Sequence, residues 1–146
     1  MIISLCDESA IMVKPWADAG HRCICVDTAH SIRNDRAEGN ITYTWGDVRS
    51  WSPPPGVRPL AVFAFPPCTD LAVSGSRDFV TKGGHRLSDA LQIAEACMRS
   101  AAWAGCPWML ENPVGRLSSH WRKPDAYFDP CDYAGYRDGN ADGDTR

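Results

Sequence analysis

A chain of 146 residues with a formal net charge of −3 is sized for one domain, and can bury about 68–70% of its unfolded surface, enough for a core without disulfide staples. The acidic balance argues against a strong, sequence-blind hold on nucleic acid, while leaving room for a local basic face. No apolar run approaches a membrane span, and Met1-Ile2-Ile3-Ser4-Leu5 lacks a signal peptide's basic flank and cleavage site, so the expectation is a cytoplasmic protein with no membrane partner.

The cysteines are Cys6, Cys23, Cys25, Cys68, Cys97, Cys106 and Cys131. Their odd number, irregular spacing and lack of a CxxC pair give no support to a zinc site, and no metal site is expected. Reduced thiols are the simplest reading. Most act as small core hydrophobes, with Cys68 set apart by its neighbours.

Met1 to Leu5 reads as a first strand, with Cys6-Asp7-Glu8-Ser9 as a polar turn at its carboxyl end. Ala10 to Ala19 reads as a short helix containing Pro15 and stopped by Gly20. Arg22 to Val26 is a second strand closed by Asp27, and the polar stretch from Thr28 to Asn40 reads as a loop with a weak helical turn. Ile41 to Trp45 is a third strand, followed by Gly46-Asp47-Val48. After a stiff Pro-rich connector, Leu60 to Phe65 is an uninterrupted apolar run, as expected of a strand buried on both faces. Pro66 and Pro67 end it, because neither can donate to a ladder.

Ser74 to Gly84 reads as a loop rich in Gly, Ser and charge. Ser88 and Asp89 are suited to cap a helix reaching about Trp103, whose Leu91, Ala94, Met98 and Ala101 recur at helical spacing. Pro107 to Leu110 is a fifth strand ending in Glu111-Asn112-Pro113. Trp121, Tyr127, Phe128, Tyr133 and Tyr136 make the following stretch partly ordered, either a core flap or a self-association patch. The division expected is one domain over 1–136 and a polar tail over 137–146.

Strands and helices alternate, which predicts an α/β, doubly wound, mostly parallel sheet. If the sheet is parallel, Asp7, Asp27, Asp47, Cys68 and Glu111 all fall on one edge. In such sheets that edge binds ligands. A thiol there is placed to act as a nucleophile once ionised, although Cys68 also reads as a buried structural cysteine. Glu111, at the end of an apolar strand, is a poor core residue. Burial would raise its pKa and let it donate a proton, the alternative being a capping or salt-bridged carboxylate. Asp27 suits hydrogen bonds from ribose hydroxyls or a simple turn. Gly46-Asp47 permits close approach of a ligand but is also an ordinary turn signal.

Phe65-Pro66-Pro67-Cys68 followed by Glu111-Asn112-Pro113 resembles the DNA cytosine-5 methyltransferases, in a short, truncated, phage-like version. Ser74-Gly75 falls where that family's nucleophile loop ends, and Gly84-His85-Arg86-Leu87 resembles the segment that opens its next helix. The resemblance covers about Met1 to Pro113. It implies a Rossmann-like methyltransferase fold lacking a target-recognition domain. It implies methyl transfer from S-adenosylmethionine to C5 of cytosine in DNA, with Cys68 adding to C6 and Glu111 holding N3. The target base would be flipped out or single-stranded.

By the same resemblance the cofactor would lie against Leu5, Cys6, Asp7, Ser9, Asp27, Thr28, Asp47, Val48 and Pro66. Asp27 would bind its ribose and Asp47 would read its adenine. The substrate would meet Pro67, Ser74, Arg77, Arg86 and Asn112, with Lys82 and His85 in the same basic loop, which equally reads as a solvated loop. The pattern departs from the family at the cofactor loop, where Leu5-Cys6-Asp7-Glu8-Ser9 has no glycine, and at Thr69, where a Gln is usual. The family's Gln-x-Arg-x-Arg segment, recognition domain and closing helix are not found after Tyr136. The competing expectation is therefore a degenerate or split module, with a partner enzyme or a subunit that supplies target recognition.

Overall fold

The first strand, β1 (Ile2–Leu5), is buried along its whole length and has a parallel neighbour on each side. The computed structural model describes residues 1–72 and 84–129. It contains, in chain order, β1, α1 (Lys14–Asp18), β2 (Cys23–Asp27), a 3-10 turn (Thr28–His30), β3 (Arg36–Glu38), β4 (Ile41–Trp45), β5 (Ala61–Ala64), α2 (Gly84–Ala104), β6 (Trp108–Leu110) and α3 (Leu117–His120). One six-stranded sheet runs β3-β4-β2-β1-β5-β6. All its pairs are parallel except β3 with β4. The fold is thus α/β with a mixed, mostly parallel sheet.

Side-chain alternation sorts the strands into two faces. Ile3, Leu5, Ile24, Val26, Val62 and Ala64 pack with Ala96, Cys97 and Ala101 of α2. Ile2, Cys23 and Cys25 pack on the other face with Ala10, Val13 and Ala17. The small residues Ala90, Ala94, Cys97 and Ala101 are buried at helical spacing along α2, so the helix lies close to the sheet. Burying each larger aliphatic side chain here contributes about 1.5–3 kcal/mol before entropy is set against it. The chain turns back at β1: β2 and β4 are added on one side, β5 and β6 on the other. In open α/β sheets ligands bind beyond the carboxyl ends of the strands that flank such a reversal, here β1 and β5.

Several local expectations are corrected. The helix expected over Ala10–Ala19 is only Lys14–Asp18. The Asp7 carboxylate captures the amide of Ala10 at 2.8 Å, and Ala10 itself has φ +57°, so residues 11–13 form turns ahead of the helix. Pro15, with no N–H to give, then fits the first helical turn. Strand β5 is not buried on both faces: its burial alternates, because the five residues of α1 cover little of the side that Ala61 and Phe63 face, and Leu60 before it is 55% exposed. Strand β3 was not expected at all. Its residues are exposed, and it exists by pairing with β4 across a two-residue turn in which Gly39 has φ +56°.

Helix α2 begins at Gly84, so Ser88 and Asp89 lie inside it rather than capping it. The earlier start lets Leu87 join Leu91 and Trp121 against the buried cluster of Leu71, Ala90, Ala94 and Leu117. Most of the loop expected over Ser74 to Gly84, with Ser74, Arg77 and Lys82, lies outside the described residues. So do Cys131, Tyr133, Tyr136 and the expected tail. No helix among the described residues is long and apolar enough to cross a membrane.

Candidate active site

Parallel register brings the ends of five strands to one edge. Leu5 is level with Val26 and Ala64, Val26 with Thr44, and Ala64 with Leu110. The segments carrying Asp47, Asp27, Cys6, Cys68 and Glu111 therefore leave the sheet side by side, in that order. Neighbouring strands are about 4.8 Å apart, so the loops of β5 and β6 emerge next to each other.

The β5 loop is anchored at several points. Phe65 donates its amide to the Leu5 carbonyl at 3.0 Å, and Pro66 is buried. Asn112 Nδ2 donates to the Pro66 carbonyl at 2.8 Å. Past Cys68 the chain makes a tight turn, with the Cys68 carbonyl accepting from Leu71 and Ala72 at 2.9 and 2.8 Å. Arg116 then donates its amide to the Leu71 carbonyl at 2.7 Å, and Ala72 pairs with Gly115. Arg86, expected to meet substrate, ion-pairs with Asp70 at 3.3 Å and ties this loop to the first turn of α2. Within this frame Cys68 is exposed, which excludes the buried structural reading. Pro67 is exposed beside it.

Glu111 continues β6, donating its amide to the Ala64 carbonyl at 3.0 Å. Burial pushes its carboxyl above the usual value, as expected from its place in the sequence. Glu111 and Asn112 also line a cavity of about 650 Å³ on the outer side of β6, walled by Trp108, Tyr127 and Phe128. Cys68 is not part of that lining. A shallower groove of about 760 Å³ follows the outer face of α2 from Arg49 to Trp121, away from both residues.

On the other half of the edge, several expected ligand groups are already engaged. Leu5 and Val48 are core residues. Asp7 is 6% exposed; its carboxylate accepts from Ser4 Oγ at 2.7 Å, Ser9 Oγ at 3.3 Å and the Ala10 amide at 2.8 Å. It holds its own loop together and has little left for a ligand. Cys6, at φ +55°, turns its sulfur to within 3.9 Å of Cys97 Sγ. The hydrogen bond to Cys97 and burial push its thiol far up, with added repulsion from Asp27 and Asp47.

Asp27 Oδ1 caps the 3-10 turn through the Ala29 amide at 2.8 Å, while Oδ2 accepts no hydrogen bond among the described residues. Thr28, the next residue, is exposed, as is Ser9 in the loop after β1. Asp47 follows Gly46, where an added Cβ would meet Trp51 at 2.9 Å and Val26 at 3.0 Å. The Asp47 carboxylate receives both the amide and the guanidinium of Arg49. That hydrogen bonding holds it below the usual carboxylate range. Arg49 was not singled out from the sequence. Its other partner, Asp89, is forty residues away in the chain, and no local pattern signals such a pairing.

No cluster of His, Cys, Asp and Glu that could hold a metal occurs among the described residues. No protein-family model, no curated protein and no solved structure matches the chain.

Proposed function

We propose that the protein transfers a methyl group from S-adenosylmethionine to C5 of a cytosine in DNA, on a Rossmann-like methyltransferase fold and through a covalent bond to Cys68. The observation that carries this reading is the exposed thiol of Cys68 on a loop clamped by Asn112, leaving the sheet beside the strand that ends in Glu111, whose carboxyl burial shifts upward. A thiol and a proton donor on adjacent strand ends are what addition across the C6–N3 system of a pyrimidine requires.

The residues for the cofactor fit in part. Asp27 keeps Oδ2 for a ribose hydroxyl, and Asp47 is available once Arg49 moves aside. Side chains of Leu5, Asp7 and Val48 do not take part, which leaves the loop after β1 its backbone and the exposed Ser9. When bound, S-adenosylmethionine supplies an electrophilic methyl group. Cys68 bonds to C6 as thiolate, and the displaced electron pair draws the Glu111 proton onto N3. The ring then carries its nucleophilic pair at C5, where it takes the methyl group. Loss of the C5 proton to a base expels Cys68 as thiolate and returns the N3 proton to Glu111.

A cytosine carrying fluorine at C5 has no proton to lose there after methylation, so the adduct persists. A DNA oligonucleotide with 5-fluorocytosine and cofactor is expected to form a denaturation-resistant complex. Cys68→Ser abolishes that complex. An adduct that survives the substitution, or none with the unaltered chain, overturns the proposal.

A second reading has its own support. Asp7 and Asp47 both spend their carboxylates inside the chain, as suits a module that keeps the fold and has lost or shares the activity. Calorimetric binding of S-adenosylhomocysteine without any adduct favours this second reading, with a partner subunit or enzyme as its target.

A further inference from the structure

We propose that Arg49 is a latch over the nucleoside side of the sheet's carboxyl edge, occupying the Asp47 carboxylate until an entering nucleoside ligand displaces it towards Asp89. This rests on the reading that the ends of β2 and β4 receive the nucleoside part of S-adenosylmethionine.

The geometry is that of a closed gate with somewhere to go. Arg49 Nε lies 3.0 Å from both Asp47 oxygens, Nη2 bonds Oδ2, and the Arg49 amide takes Oδ1 at 2.9 Å. A planar fork laid across both oxygens leaves a ligand little of the carboxylate to use. The opposite nitrogen, Nη1, already bonds Asp89 Oδ1 on α2. The guanidinium can therefore leave Asp47 without losing every anionic partner. All three side chains are solvent-accessible, at 39% for Arg49, 30% for Asp47 and 58% for Asp89. Such pairs are weak and open readily.

Asp47 is in turn held near Asp27, whose carbonyl accepts the Gly46 amide at 3.4 Å. A ligand bridging the two carboxylates must compete with Arg49 for the second. Its apparent affinity is the intrinsic one multiplied by the fraction of molecules in which the latch is open.

Calorimetric titration of the full chain with S-adenosylhomocysteine tests this on the unaltered protein, Arg49→Ala and Asp89→Asn. Removing the latch is expected to tighten binding about two- to fivefold, the range a weak exposed pair can withhold. Asp89→Asn removes the second acceptor, leaves the guanidinium to Asp47 and weakens binding. Added salt screens the exposed pair, so it tightens binding by the unaltered chain and not by Arg49→Ala. Equal or weaker binding by Arg49→Ala, or equal or tighter binding by Asp89→Asn, overturns the latch while the cofactor reading stands. No binding by any of the three chains overturns the cofactor reading and the latch with it.

Discussion

Asn112 donates its side-chain amide to the carbonyl of Pro66, 46 residues earlier, at 2.8 Å. The bond joins the end of β6 to the loop that presents Cys68. Proline has no N–H of its own, so the loop is held at this point through its carbonyl. Asn112→Ala leaves the carbonyl of a buried residue without its donor, a cost of about 1–3 kcal/mol. It also removes Asn112 Oδ1, which is buried with no hydrogen-bond partner among the described residues, and that offsets part of the cost. The expected net is a loss of about 1 kcal/mol in urea unfolding. Slower trapping of 5-fluorocytosine DNA should accompany it. A variant that traps at the original rate would show that the clamp does not set the position of Cys68.

Gly115 seals the other end of the same loop. A Cβ built there would lie 2.0 Å from the Leu71 carbonyl oxygen and 2.8 Å from Ala72 Cα. Both obstacles are backbone, so neither can swing aside. Gly115→Ala must part the two segments and break the Arg116 to Leu71 hydrogen bond. Overpacking of this kind costs about 1–3 kcal/mol, and the urea midpoint should fall accordingly. The same substitution at Gly84, where nothing lies within 4 Å, is the control; equal effects at both sites would refute the seal.

Glu111 predicts a pH dependence with a definite sign. Burial raises its carboxyl above the ordinary value of 4.5, so the native state favours the protonated form. Between the ordinary and raised values the native chain binds more protons than the unfolded one, and stability falls as pH rises. The contribution is complete below 4.5 and lost as pH passes the native value. Glu111→Gln, which stays neutral, should match the unaltered chain at about pH 4 and exceed it at about pH 8 in urea unfolding. A difference that does not change with pH would show that the carboxyl is not perturbed by burial.

Among the six described cysteines, Cys68 is the exposed one; Cys23, Cys25 and Cys97 are buried, and Cys6 and Cys106 are intermediate. Burial raises the thiols of Cys25 and Cys106, and the hydrogen bond to Cys97 raises that of Cys6. Thiolate is the form that reacts. Brief treatment of the folded chain with iodoacetamide should therefore label Cys68 before these five, as read by peptide mass mapping. Earlier labelling of Cys6 or Cys106 would contradict this order of exposure.

Much of the frame was legible in the chain because it is written in local periods. The apolar runs at Ile2–Leu5, Cys23–Val26 and Ala61–Ala64 and the helical spacing of Ala94 and Ala101 are decided within a few residues of each other. Their alternation implied parallel strands, and parallel strands bring Cys68 and Glu111 to one edge. Strand β3 escaped because its exposed Arg36, Ala37 and Glu38 carry no apolar pattern; the Gly39-Asn40 turn was its one local signal.

The amino-acid order by itself determined that this is an α/β chain, where its strands stop, and which reactive groups stand at those stops, because backbone propensity and burial act over short distances. Only the tertiary structure decided which of those groups remain available. Asp7 is consumed by Ser4 and Ala10, Asp47 is covered by Arg49, and Arg86 is turned to Asp70, while Cys68 stays open to solvent. A charge's partners are set by distances across space, and those exist only once the chain has closed on itself.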